Sequence, residues 1–229
     1  MAKHIGIVAC SAEGAALCYR TICQLAAARL GEHQHPEITM HTYPLARYMK
    51  AIHAGDWEQV AGLMISSTRK LHSCGAEIAI CPDNTVHQAF ELVAATSPLP
   101  WLHIAEEVAR QAEEMGCTRL AVTGTNYLME GPVYPAAAAK FQLDCELPLP
   151  ADRRRIDRII FKELVNGICS EQSRLYLNQV IQQLRQRGCE AVVLGCTELP
   201  LLVDPADCPL PVLDSTRILA KAALTAALS

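Results

Sequence analysis

Seven short apolar runs alternate with longer helical patterns along the chain, and this alternation limits the possible folds more than any other feature. "HIGIVAC", "EITMHTY", "AEIAIC", "RLAVTGT", "FQLDCEL", "EAVVLGC" and "LPVLD" read as strands. Between them, segments such as "ALCYRTICQLAAARL" and "YLNQVIQQLRQR" place apolar residues three and four apart, the spacing of an amphipathic helix. Strands that are apolar on both faces belong to parallel sheets covered by helices on either side. The fold class predicted is α/β. At 229 residues the chain can bury a substantial core, as one large domain or as two small ones sharing a cleft.

An internal echo favours two. Laying "GAEIAICPDNTVH" (75–87) over "GCEAVVLGCTELP" (188–200) matches Gly75 with Gly188 and Glu77 with Glu190, and sets Asp83 on Cys196. A weaker echo pairs "IGIVACS" (5–11) with "LAVTGTN" (120–126). From these strands to the paired positions the distances are 78 and 76 residues. Two pseudo-symmetric α/β domains are expected, with a seam near "SPLPW". The first spans residues 1–100 and is completed by a C-terminal helix over 214–229; the second spans 101–213. Ligands of open parallel sheets bind beyond the carboxyl ends of the strands, so the expected site lies in the cleft between the domains, with Asp83 and Cys196 approaching from opposite sides. Generic strand-to-helix turn chemistry is the alternative source of the echo.

Charge and cysteine content exclude several function classes. The formal net charge is −4 and the pI about 6.1, which leaves no basic footprint for nucleic acid or an anionic membrane surface. No run approaches the roughly 18 apolar residues of a membrane span, and "MAKHIGIVAC" runs directly into a strand, unlike a signal peptide. Eleven cysteines, an odd number without CxxC pairs or Cys/His metal spacing, point to a reduced cytoplasm and to no metal.

Two residues stand out for chemistry. Cys196, in "VVLGCTELP", follows a strand at the start of an expected helix, where the helix dipole favours the thiolate. Asp83, in "CPDNTVH", mirrors it, and either caps a helix, worth about 1 kcal/mol, or handles a proton.

The stretches "GIVACSAEGAALCYRTI", "CPDNTVHQAF", "VTGTNYLMEGPVY", "RIIFKELVNGI", "GCTELPLLV" and "LDSTRILAKAA" resemble the aspartate/glutamate (and hydantoin) racemase family, and the likeness runs over nearly all the chain. It implies an isomerase without a cofactor, built of two pseudo-symmetric domains and often a homodimer. In that family two residues flank the substrate's α-carbon, one removing its proton and the other returning one from the opposite face. "GCTELP" matches the second catalytic cysteine at Cys196. The first would precede the "NTxH" tetrad, where this chain has Asp83; Cys81 has the same facing but stands in the wrong place. The resemblance further implies a polar lining for the substrate from Ser11, Asn84, Thr85, Thr125, Asn126, Thr197 and Glu198. Arg47 lies where relatives place a carboxylate-binding arginine, with a solvated surface residue as the alternative. Lys162 reads as part of a charged helix face, and His87 either as a tetrad member bonding the site loop or as a packed structural residue. The chain departs from the family pattern at Ala9, Cys10 and Ser11 in the first loop, at Leu128 in place of Thr, and at Leu219 in place of His.

An Asp and Cys pair is unequal. Ordinary pKa values of about 3.9 and 8.5 put the Asp anion with neutral Cys roughly 6 kcal/mol below the reversed state. The expected activity is amino-acid racemisation by proton transfer between Asp83 and Cys196, on a small carboxylate or amino acid. The alternatives are a single-cysteine lyase or cis-trans isomerase, like arylmalonate decarboxylase or maleate isomerase, and a carboxylate-binding relative without catalysis.

Overall fold

The computed structural model describes residues 2–229. The chain divides into two compact units, Met1–Glu107 with Thr216–Ser229, and Val108–Ser215. All seven expected strands form, and every strand pair is parallel.

In the first unit the elements are β1 (Ile5–Ala9), α1 (Ala12–Leu30), β2 (Ile38–Thr42), α2 (Leu45–Ala54), α3 (Trp57–Ser73), β3 (Ile78–Ile80), a 3-10 turn over Thr85–Ala89, and α4 (Phe90–Ala94). Helix α5 (Ile104–Glu114) leads into the second unit. The sheet order is β2-β1-β3. Side chains on β1 and β3 alternate between two cores, as the two-residue period of a strand requires. Ile5, Ile7, Ala9, Ile78 and Ile80 pack with Cys18 and Ile22 of α1. Val8, Cys10, Ala79 and Cys81 pack on the other face with Tyr48, Ile52, Met64 and Leu71 of α2 and α3. Each fully buried Ile contributes roughly 1.5–3 kcal/mol, so both faces specify the register.

The second unit holds β4 (Arg119–Thr123), α6 (Asn126–Met129), α7 (Val133–Lys140), β5 (Asp144–Glu146), α8 (Pro150–Lys162), α9 (Glu171–Gln186), β6 (Ala191–Leu194), α10 (Leu199–Leu202) and β7 (Val212–Asp214). Its sheet order is β5-β4-β6-β7. Ala121, Val192 and Leu194 meet Ile156, Ile160, Leu177, Val180 and Ile181 of α8 and α9. Helix α11 (Ser215–Leu228) then places Leu219, Ala220 and Ala223 in the core beside Ile5 and Ile7. Leu219, which replaces a histidine of the family pattern, is therefore a fully buried core residue.

The sequence echo has a physical basis. Gly75 and Gly188 both adopt left-handed conformations, φ 91° and 90°, which glycine enters without steric cost. Two residues later a glutamate ties each turn to the start of the neighbouring strand. Glu77 accepts from the His4 N–H, and Glu190 accepts from the N–H groups of Thr118 and Arg119. Those bonds hold the Glu190 carboxyl below its usual range.

Candidate active site

In both units the first strand is central and the next two elements of sheet lie on opposite sides of it. Such a reversal opens a crevice at the carboxyl ends of the strands, where open parallel sheets bind ligands. In the first unit the loops after β1 and β3 meet there, bringing Cys10 and Ser11 beside Cys81–Thr85. In the second, the loops after β4 and β6 carry Gly124–Asn126 and Gly195–Glu198. Asp83 stands three residues past Ile80, the partner of Ile7; Cys196 stands three past Val193, the partner of Val122. The two residues are thus equivalent by strand register within their own units.

Asp83 is half-buried and its carboxylate accepts a hydrogen bond from the Cys10 thiol. Cys10 escapes sequence reasoning about the site, although its two-residue spacing from Val8 assigns it to the face that carries Cys81. Burial pushes the Cys10 and Cys81 thiols well up, with the charge of Asp83 adding to both, so each stays protonated. Burial raises the Tyr48 phenol in the same surroundings. Cys81 is fully buried and structural.

His87 fixes the loop. Its Nδ1 lies 2.8 Å from the Asp83 carbonyl oxygen, and its Nε2 accepts from the Ile104 N–H at 3.4 Å, which makes Nδ1 the protonated nitrogen. Burial, aided by nearby His103, lowers the ring's pKa to about 3 and keeps it neutral. His87 is therefore a structural bond to the Asp83 backbone. Asn84 is buried at the head of the 3-10 turn, and Thr85 is half-buried.

Cys196 Sγ lies 2.8 Å from Glu198 Oε2, and Thr197 Oγ1 donates to the same oxygen at 2.8 Å. Glu198 is buried. The helix expected to start at Cys196 is α10, only four residues long and starting three residues later, because "LPLLVDP" gives way to proline-bearing turn sequence. A helix that short has little dipole, and the charged side chain bonded to the Cys196 thiol is Glu198. Gly195 is demanded by close approach: a Cβ there would sit 2.2 Å from Leu128 Cδ2 and 2.9 Å from the Thr123 carbonyl oxygen. Leu128 packs its apolar side chain over Gly124 and Gly195, where the family pattern has a hydroxyl.

Ser11 and Thr125 are helix caps, accepting from the Gly14 and Leu128 N–H groups. Each keeps its own O–H hydrogen to donate elsewhere. The Asn126 N–H donates to Asp157 at 2.8 Å, while its buried Oδ1 has no hydrogen-bond partner among the described residues. Arg47 follows β2, lies 4.4 Å over the Tyr43 ring and lines a hollow on α2 and α3. Lys162 is exposed at the end of α8.

A model of the Asp/Glu/hydantoin racemase family matches residues 5–223. The crystal structure of a candidate Asp/Glu racemase from Yersinia pestis superposes with a TM-score of 0.93 at 34% identity, covering 99% of this chain and 100% of that one. An aspartate racemase homologue from Pyrococcus horikoshii OT3 gives 0.89 at 25% identity, with 100% of both chains covered. The broad specificity amino-acid racemase RacX of Bacillus subtilis (strain 168) is 20% identical over 210 residues, covering 89% of this chain and 87% of its own length. The chain belongs to the Asp/Glu/hydantoin racemase family and is an isomerase.

Proposed function

We propose that this isomerase inverts the α-carbon of an amino acid, acidic or a close analogue, with Asp83 and Cys196 as opposed acid and base. The observation that carries this reading is the register equivalence of the two residues, each at the carboxyl end of a strand next to the central one.

The local bonds support distinct roles. Cys196 passes its proton to Glu198 across 2.8 Å and, as thiolate, takes the α-proton of one enantiomer. Asp83, whose carboxylate form accepts from Cys10, takes the proton of the other, and in each direction the opposite group, in its protonated form, returns a proton to the far face of the carbanion. The O–H groups of Ser11 and Thr125 and the amides around Asn84 and Thr85 hold the substrate carboxylate and the developing enolate oxygen. The roughly 6 kcal/mol separating the two protonation states on ordinary pKa values is compatible with turnover. A rate near 10 per second corresponds to a total barrier of roughly 16 kcal/mol. The cycle needs no cofactor, since both proton carriers are side chains. The reading extends to a homodimer in the cytoplasm, supported by the family resemblance and by eleven cysteines outside any disulfide.

A second reading rests on Leu128, whose apolar side chain covers the turn bearing Cys196. There Cys196 alone protonates the carbanion of a decarboxylating malonate or adds to maleate. Incubation in heavy water with L- and D-amino acids, substituted malonates and maleate separates the two. Racemisation gives α-deuteration with loss of optical rotation; the second reading gives carbon dioxide or fumarate. Silence across the panel contradicts both and leaves a carboxylate-binding protein.

A further inference from the structure

A hollow of about 420 Å³ opens on the first unit, lined by Tyr43, Arg47, Lys50, Gln59, Gly62, Leu63 and Ser66. Its volume falls in the lower part of the roughly 300–1,000 Å³ range of small-molecule sites. It lies along α2 and α3, and its charged lining is entirely cationic.

Three cations collect there. Arg47 Cζ and Lys70 Nζ each stand 4.4 Å from the Tyr43 ring centroid, and Lys50 is one turn on from Arg47. Lys70 Nζ also donates to Tyr43 Oη and to His41 Nε2, at 2.9 Å each. Ser66 Oγ lies 2.9 Å from Tyr43 Oη. Among the described residues none of the three cations has a carboxylate within ion-pair distance. Like charges one turn apart destabilise a helix, and a cation in the first turn opposes the helix dipole. Arg47 is in the first turn of α2, which has no acidic residue and no side-chain cap. Lys70 lowers the pKa of the Tyr43 phenol by hydrogen bonding to it, a sign of the same positive potential.

Gly62 is the independent observation. It lies in the middle of α3, where glycine costs about 1 kcal/mol relative to alanine. A Cβ there would have nothing within 4 Å, so neither packing nor backbone geometry calls for glycine. Its evident consequence is open space in the hollow that Arg47 and Lys50 also line.

We propose that this hollow binds the phosphoryl group of a small phosphorylated molecule, held by the Arg47 guanidinium, the Lys50 ammonium and the hydroxyls of Tyr43 and Ser66. A guanidinium fork and an ammonium together match a dianionic phosphate. Donors from α2, α3 and the segment between β2 and α2 suit a tetrahedral anion better than a planar carboxylate. The remaining volume takes the organic part of the ligand. Neither Asp83 nor Cys196 lines the hollow.

The test is calorimetric titration of the full chain with inorganic phosphate at constant ionic strength, with succinate, a dicarboxylate dianion, for comparison. The expected result is saturable binding of one phosphate, at least about tenfold tighter than succinate and weakened at least about tenfold by Lys50→Gln. Gly62→Glu places a carboxylate in the hollow and should abolish binding, while its better helix propensity keeps the unfolding midpoint at or above that of the parent. Phosphate binding that does not saturate, that succinate equals, or that survives both substitutions overturns the proposal.

Discussion

Cys196 Sγ and Glu198 Oε2 are 2.8 Å apart, and Thr197 Oγ1 shares the same carboxylate oxygen. In the proposed cycle this buried carboxylate accepts the thiol's proton as well as anchoring it. Glu198→Gln keeps the size and an acceptor oxygen but removes the base. We expect kcat to fall about 10²-fold with KM little changed, measured by circular dichroism of the product enantiomer. Cys196→Ser should lose essentially all turnover.

Asp83 accepts from Cys10, so the thiol stabilises its carboxylate form. Removing a donor to an anion raises the pKa of its acid. In Cys10→Ala the acid limb of the kcat/KM profile should move to higher pH, whereas Cys10→Ser, which keeps a donor, should leave it near the parent position. Equal profiles for all three would remove Cys10 from the account.

Gly195→Ala should destabilise the second unit by about 1–3 kcal/mol, because the new methyl meets Leu128 Cδ2 and the Thr123 carbonyl oxygen. Leu128→Ala relieves the first clash but not the second. A double-mutant cycle read by urea unfolding should therefore show favourable coupling that recovers only part of the loss.

His87 ties stability to pH. Burial holds its folded pKa at about 3, against about 6.5 in the unfolded chain. Between those values the unfolded chain binds the extra proton, so the histidine's contribution makes stability rise with pH, at up to about 1.4 kcal/mol per unit, and level off above pH 6.5. His87→Asn, which keeps a donor for the Asp83 carbonyl, should remove that slope from the urea-unfolding profile.

The strands were legible because burial on both faces leaves an unbroken apolar signature, and Gly75 with Glu77 and Gly188 with Glu190 were legible because each pair performs the same task in its unit. The equivalence of Asp83 and Cys196 followed from those anchors. What spacing could not convey depends on packing. The Cys10 bond to Asp83 exists because β1 and β3 are neighbours in the sheet. The Glu198 bond to Cys196 depends on the conformation of a short turn, and Arg47 lines a hollow formed by α2 and α3, which bring together residues far apart in sequence.

The most direct test of opposed proton transfer follows α-hydrogen exchange in heavy water separately for each enantiomer of the substrate, in Asp83→Asn and in the parent. The account predicts that the parent exchanges both hands. Asp83→Asn should lose exchange of the hand that Asp83 deprotonates while Cys196 still exchanges the other, with racemisation gone. Parent-like exchange of both hands in Asp83→Asn would contradict it.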